Sequence, residues 1–377
     1  MPYSIAFLSR YPPLEGGIAA KTYWLARGLA SRGHEVHIVT HGACAGLEYR
    51  IASAESDPAA VPNLQIHRIE ERMPWHIPED EENALALLDL TIRVIRQRGV
   101  QILDTGYLVP YGIVGHLAKN ATGVSHAIRH GGSDVEKFLR RGILETVLRE
   151  AVANADVVVT DILHRDILEP MNSNVICHPA YVPDATKFVP SNRSQPRHRL
   201  ASIGKINYYW QHKNLEAVSR VMQQLTGKFE CLIVGQGKGM ADFQQSLGPE
   251  TVSSFKWRPF VAPWEMPHLL NQLDSIFIFE SRLPHPVVSN LALEAISSGV
   301  GIITDRADFA ETYRNIVEID KNQSLVVSPS ESSSAAQMIE QWIRERVQNG
   351  QSSRQLISYQ EYLSANEAIY ANILSGH

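Results

Sequence analysis

Cysteine is scarce in this chain. There are three in 377 residues (Cys44, Cys177 and Cys231), far apart and without CxxC spacing, which leaves no disulfide framework and no thiolate metal or redox motif. Cys177 and Cys231 fall in strand-like runs and are expected to be buried free thiols. Positive charge is not in excess: 35 Lys and Arg stand against 40 Asp and Glu, a net charge of −5, whereas a general nucleic-acid binder is basic. No run reaches 18 apolar residues, and the N-terminus lacks the basic-then-apolar plan of a signal peptide, so a cytoplasmic protein is expected. The chain also lacks G-x-G-x-x-G, the G-x-S-x-G nucleophile elbow, the P-loop and any Asp-x-Asp after a strand. These absences remove the usual routes to dinucleotide, serine-nucleophile and metal-carried phosphate chemistry, and neither metal nor cofactor is expected.

Short apolar, β-forming runs alternate with helical stretches along the whole chain. "SIAFLS" (4–9), "EVHIVT" (35–40), "LQIHRI" (64–69), "VQILDT" (100–105), "GVSHAI" (123–128), "ADVVVT" (155–160) and "NVICH" (174–178) form a first set. "VPSNRSQPRHR" (189–199) interrupts with Pro, Ser, Asn and charge, the composition of a linker. A second set follows: "LASIGK" (200–205), "FECLIVG" (229–235), "VSSFKW" (252–257), "SIFIFE" (275–280), "VGIITD" (300–305) and "SLVVSP" (324–329). Strands alternating with helices predict a parallel sheet covered on both faces. The chain therefore reads as α/β, with two doubly wound, Rossmann-like domains, residues 1–190 and 198–357, facing each other across a cleft. The stretch 358–377 reads as a terminal helix returning to the first domain.

Ligands of open α/β sheets bind beyond the carboxyl ends of the strands, and chemically distinctive residues cluster in those loops. In "HPVVSNLALEAISSGVGIITDR" (285–306), Glu294 lies on an otherwise apolar helix whose N-terminus, near Ser289, Asn290 and Leu291, would present N–H groups to an anion. A capping box does not account for the carboxylate, because Leu291 occupies the position that would hold Ser or Thr. Such a carboxylate can accept hydrogen bonds from vicinal hydroxyls, as in ribose recognition. In "SIGKINYYWQHKN" (202–214), Lys205 follows a strand and Lys213 lies near a helix start, where a cation opposes the helix dipole unless an anion is nearby; together they suit a diphosphate. "RHGGSDVEKF" (129–138) puts His130 and Asp134 around a glycine pair that allows close approach of the backbone. Gly16 and Gly17 precede the first helix, a weak phosphate-loop signal, and "GQGKG" (235–239) reads as a tight turn. Trp75 in "MPWHIP", Tyr107 in "GYLVPY", and Asp134 are candidates for holding an acceptor. "EKFLRRGILETVLREA" (136–151) reads as a helical stretch carrying Lys137, Arg140, Arg141 and Arg149, a solvated face in preference to a lipid contact.

These pieces, in this order, resemble the retaining glycosyltransferases of family 4, which share the GT-B fold. The resemblance covers nearly the whole chain: "PPLEGG…LARGLASRGHEVHIVT", "HGGSDV", "ADVVVT", "GK…HKN", "LIVGQG" and, most specifically, "LALEAISSGVGIITD". It implies a metal-independent transferase that moves a sugar from a UDP- or GDP-sugar to a hydroxyl of a sugar, lipid-linked or small-molecule acceptor, with membrane association at most peripheral. It further implies that Glu294 holds the ribose and that Lys205 and Lys213, beside Gly204, bind the diphosphate. Gly16 and Gly17 would approach the phosphates, His130 the donor sugar, and Arg258, Phe260 and Val261 the base. The family's second glutamate, eight positions before Glu294, is replaced by Pro286. Glu280 or His285 would stand in for it, with Glu280 favoured by its place at the carboxyl end of an apolar strand. A non-catalytic nucleotide-sugar-binding protein and a sugar-nucleotide epimerase are the rival readings of the same residues.

Overall fold

The structure, a computed structural model, describes residues 2–42, 47–51, 60–69, 79–190, 195–207, 210–283, 286–349 and 354–375. The chain forms two compact units. One comprises Met1–Gly46, Ser56–Tyr181 and Gln360–His377, and the other Leu47–Glu55 and Val182–Tyr359.

The first unit is built on seven strands: β1 (Ser4–Leu8), β2 (Glu35–Thr40), β3 (Leu64–Arg68), β4 (Ile102–Gly106), β5 (Ser125–Arg129), β6 (Val157–Thr160) and β7 (Val175–Cys177). They pair in the order β3-β2-β1-β4-β5-β6-β7, all parallel. β4 and β5 are buried along their whole length, as strands covered by helices on both faces must be. β7 is the far edge, and Cys177 on it is exposed, not buried as its strand-like surroundings suggest, because an edge strand has one neighbour.

The second unit contains β8 (Arg199–Ile203), β9 (Glu230–Val234), β10 (Lys256–Arg258), β11 (Ser275–Ile278), β12 (Gly301–Thr304), β13 (Val317–Glu318), β14 (Ser324–Val326) and β15 (Arg354–Gln355). Six form a parallel sheet in the order β10-β9-β8-β11-β12-β14, while β13 and β15 make a small antiparallel ribbon with no forewarning in the sequence. In each large sheet the order reverses once, between β1 and β4 and between β8 and β11. Such switch points open a crevice above the strand ends because the flanking helices leave toward opposite faces.

Two local expectations are corrected. Residues 249–254 of the run before β10 are helical (Pro249–Ser254), not extended: Gly248 at φ +76° lets the chain turn, and Pro249 starts the helix where its missing N–H is harmless. The stretch 136–151 is not one helix. Gly142 (φ +68°) and Leu144 (φ +57°) break it, and the regular helix spans only Glu145–Ala153. Its basic residues are partly neutralised, with Arg140 paired to Glu136 and Arg149 to Glu145. Among the described residues no helix is long and apolar enough to cross a membrane.

The helix Tyr359–Ser375 packs on the first unit with polar groups inside a buried interface. Arg129 at the end of β5 donates to both oxygens of Asp104 on β4 (2.8 and 3.0 Å) and to Asn366 Oδ1 (2.6 Å), and Tyr370 donates to Asp104 Oδ2 (2.7 Å). Arg129 is 5% exposed and Asp104 fully buried. A buried ion pair of this kind needs further hydrogen bonds to offset its desolvation, and the terminal helix supplies two of the partners, leaving Arg129 Nη1 as the one buried atom of the pair without a partner.

Three histidines of this unit, His126 and His130 buried and His178 half-buried, are held in the neutral form. Burial depresses His126 to about 3, and His130 and His178 to about 4. Unfolded histidine takes up its proton near 6.5, so between about pH 6.5 and 4 the unfolded chain holds more protons than the folded one. Stability must therefore fall as the pH drops through that window. Hydrogen exchange over β5 is expected to accelerate sharply between about pH 6.5 and 4.5 once corrected for intrinsic rates; unchanged protection there would contradict the assignment.

Candidate functional site

In the second unit, the strand ends at the switch point open onto a cavity with walls that include Gly204, Lys205, Lys213, Glu280, Ser289 and Leu291. Lys205 follows β8 and Glu280 follows β11, the two strands between which the order reverses. Lys213 comes from the turn that precedes the helix Leu215–Leu225. Ser289 and Leu291 belong to the start of the helix Asn290–Ser297.

Backbone contact holds this wall in place. A Cβ on Gly235 would stand 2.2 Å from the carbonyl oxygen of Gly204, one on Gly237 2.5 Å from that of Ile206, and one on Gly239 2.2 Å from that of Asn207. None of these can be accommodated. The "GQGKG" turn is a glycine surface on which the Lys205 loop lies flat, joined to it by hydrogen bonds Ile206 N–H to Gln236 O and Gly239 N–H to Ile206 O, both 3.0 Å. Gly204 itself has φ +154°, and a Cβ there would come within 3.2 Å of Lys213 Nζ. Lys205 lies over the ring of Tyr49, 5.1 Å from its centroid.

Lys213 and Glu280 are electrostatically unlike surface residues. Removal from water lowers the Lys213 pKa, and the Glu280 carboxylate pulls it part of the way back. Burial pushes Glu280 up, Lys213 and Arg306 draw it down, and Asp305 adds to the rise. Lys213 is nonetheless exposed when its whole side chain is counted. The charge sits on Nζ, packed over Gly204, and that atom's surroundings govern its chemistry. An ammonium with few protein partners at the wall of an open pocket is suited to an anion.

Glu294 is 4% exposed, within the helix Asn290–Ser297, and is not part of the cavity wall. The N–H of Ser289, expected to face a phosphate, is instead donated to the Tyr313 hydroxyl (2.9 Å). Asn290 starts the helix beside it. Arg258 ends β10, at the sheet's edge and away from the switch point. Phe260 is not a pocket residue but packs with Ile51 and Ala262, and Val261 is half-buried beside it. His285 and Trp75 lie outside the described residues.

The remaining candidates are in the first unit. Gly16 (φ +127°) caps the helix Gly17–Ser31. His130 and Asp134 are both engaged by the scaffold. His130 Nδ1 accepts from Gly132 N–H (3.0 Å), so the Nε2–H donates to Thr160 Oγ1 (2.7 Å), and no ring nitrogen is left over. Asp134 does not cap the following turn; its oxygens accept the N–H groups of Leu108 (2.7 Å) and Gly131 (2.8 Å), tying two strand-end loops together. Tyr107 bonds Ser133 Oγ at 3.1 Å, and its ring occupies the space a Cβ on Gly131 would need. His130, Asp161 and His164 bring possible metal-ligand atoms within 4.8 Å of one another, but His164 Nδ1 already bonds Asp161 (2.7 Å) and His130 Nε2 already bonds Thr160.

Sequence reasoning missed Lys21, 6% exposed, whose ammonium donates to His130 O (3.1 Å) and whose pKa is lowered by burial to about 8. A single charge inside "IAAKTYWLA" was the available signal. It also missed Asp305, which follows β12 and faces the Glu280 loop.

Three comparisons bear on this arrangement. A model described as a glycosyl transferase 4-like domain matches residues 16–162. N-acetyl-alpha-D-glucosaminyl L-malate synthase of Bacillus anthracis is 26% identical over 148 residues, 39% of this chain and only 36% of that protein's length. In fold, the chain is similar to sucrose-phosphate synthase of Thermosynechococcus elongatus (TM-score 0.70, 14% identity, 100% of both chains). HepE of Anabaena in complex with UDP-glucose gives a TM-score of 0.65 at 13% identity over 99% of both chains. The fold is GT-B.

The glycine contact makes a direct prediction. Gly235→Ala forces a Cβ into the Gly204 carbonyl and is expected to cost about 2–4 kcal/mol in the second unit. Chemical denaturation checks this, and a loss under about 0.5 kcal/mol would mean the loops are not in contact.

Proposed function

We propose that this chain, whose residues 16–162 form a glycosyl transferase 4-like domain within a GT-B fold, is a glycosyltransferase that takes its sugar from a nucleoside diphosphate sugar. The observation that carries the reading is the cavity at the β8/β11 switch point, where Lys205, Lys213 and Glu280 face the same space. Two ammonium groups on one cavity wall attract a diphosphate, and they do more for it as its charge grows. Glu280, an acceptor held above the usual carboxylate range, suits the hydroxyls of the transferred sugar. HepE is solved with UDP and UDP-glucose, which makes UDP the first base to try, with GDP second.

In the retaining course we favour, the bond from the anomeric carbon to the diphosphate oxygen breaks and its electron pair leaves with the diphosphate. The acceptor hydroxyl bonds to the same face, and its proton passes to a phosphate oxygen. No protein nucleophile and no metal enters this course, and Lys205 and Lys213 supply the electrostatic stabilisation, worth several kcal/mol in all. The acceptor, a sugar, lipid-linked or small-molecule hydroxyl, would be held by the first unit near Tyr107. A cytoplasmic protein with at most peripheral membrane contact fits such substrates.

Thermal shifts with UDP-, GDP-, ADP- and dTDP-sugars identify the donor, and transfer or slow donor hydrolysis then tests turnover. Lys213→Ala is expected to fold normally yet lose at least about a hundredfold in turnover; near-normal turnover would sink the reading. The lowered Lys213 pKa also sets a sign. Free enzyme loses this charge at a lower pH than an ordinary lysine would, so donor affinity should begin to weaken on the alkaline side below the usual lysine range, and Lys213→Arg should move that limb upward.

A further inference from the structure

Lys213 and Glu280 reach the cavity from separate elements, one ahead of the helix Leu215–Leu225 and the other beyond β11. One carboxylate joins them. Asp305 directly follows β12, which pairs in register with β11 through Ile278 and Thr304. Its Oδ1 accepts the N–H groups of Glu280 (2.7 Å) and Ser281 (3.0 Å), and its Oδ2 accepts Ser281 Oγ (2.6 Å) and Asn214 Nδ2 (3.1 Å). Asn214 is the residue after Lys213, 4% exposed and held at φ +49°. The arm to Asn214 spans 91 residues of sequence. Arg306 adds a bond from Nη1 to Glu280 O (3.4 Å) on the same loop.

Two main-chain N–H groups fixed on one oxygen set the direction in which the Glu280 side chain leaves the backbone. The other oxygen fixes the neighbour of Lys213. A carboxylate that accepts four hydrogen bonds is held in one orientation, and its departure would leave the part-buried Glu280 N–H and Asn214 amide without their acceptor. We propose that Asp305 is a positioning residue that sets the separation between the Glu280 carboxylate and the Lys213 ammonium across the cavity. Its consequence for transfer rests on the functional reading given above; the positioning itself does not.

The experiment reads the positioning directly. With 13C-labelled lysine side chains, the Lys213 pKa is measured by NMR with Glu280 intact and in Glu280→Gln. In the native background the substitution should lower it, because Glu280 is the group that raises it. In Asp305→Leu, similar in size but unable to accept, that drop is expected to shrink to half or less. Asp305→Asn should preserve it: the amide oxygen keeps the two N–H groups, and the Asn214 amide can turn its Oδ1, buried and without a partner, toward the new amide. Turnover should follow the same order, falling about tenfold or more in Asp305→Leu with little change in donor KM. A merely structural role would lower the melting temperature and leave the Lys213–Glu280 coupling intact. A folded Asp305→Leu with undiminished coupling overturns the proposal. Should that variant fail to fold, Asn214→Gly, which tolerates the positive φ and cuts only one arm, gives the same reading: reduced coupling supports the proposal and undiminished coupling overturns it. A native protein that neither binds nor turns over any nucleotide sugar refutes the functional reading and leaves the coupling result standing.

Discussion

Main chain lying against main chain is the constraint on which the candidate site depends. The loop Gly204–Asn207 can cross the turn Gly235–Gly239 only because neither presents a side chain at the crossing. That crossing fixes the loop carrying Lys205 beyond the carboxyl end of β8, and Gly204 leaves room for Lys213 Nζ. Glycine is costly to fix in the folded chain because it has the most freedom to lose. Three glycines at alternate positions are retained here for a close approach that no other residue permits.

The two units treat buried charge differently. In the first, charges are largely closed off: Arg129 bonds Asp104 and Asn366 although its Nη1 is left over, Tyr370 bonds Asp104, Asp134 is consumed by two N–H groups, and Lys21 spends a bond on the His130 carbonyl. Such networks rigidify the strand-end loops while leaving little to offer a ligand. In the second, Lys213 and Glu280 face open space with their pKa values displaced in opposite directions. Incomplete pairing at a cavity wall is the mark of a site that expects a guest. The loop and its glycines single out His130 in the sequence, and its hydrogen bonds to Thr160 and Gly132 could not be read there.

Much of the architecture was legible. The runs "EVHIVT", "SIFIFE" and "VGIITD" are apolar and bounded by turns, so periodicity alone locates β2, β11 and β12 to within two residues. The segment before β10 was misjudged because a Val-Ser-Ser run looks extended until Gly248 and Pro249 are given their turn and helix-start roles. The small ribbon of β13 and β15 escaped because two-residue strands carry no periodicity.

By itself the sequence determined that the chain makes two parallel α/β sheets, and that Lys205 and Glu280 stand at strand ends, because hydrophobic period and turn chemistry are local properties. Whether residues distant in the chain share a cavity is not local. Only the tertiary structure decided that Glu280, not Glu294, faces the cavity with the two lysines. It also decided that Phe260 turns into a packed cluster, and that Asp305 joins two loops 91 residues apart. Each of these outcomes depends on which side of a strand or helix the fold leaves open. That is settled by the order in which strands pair, and strand order is written in no single segment.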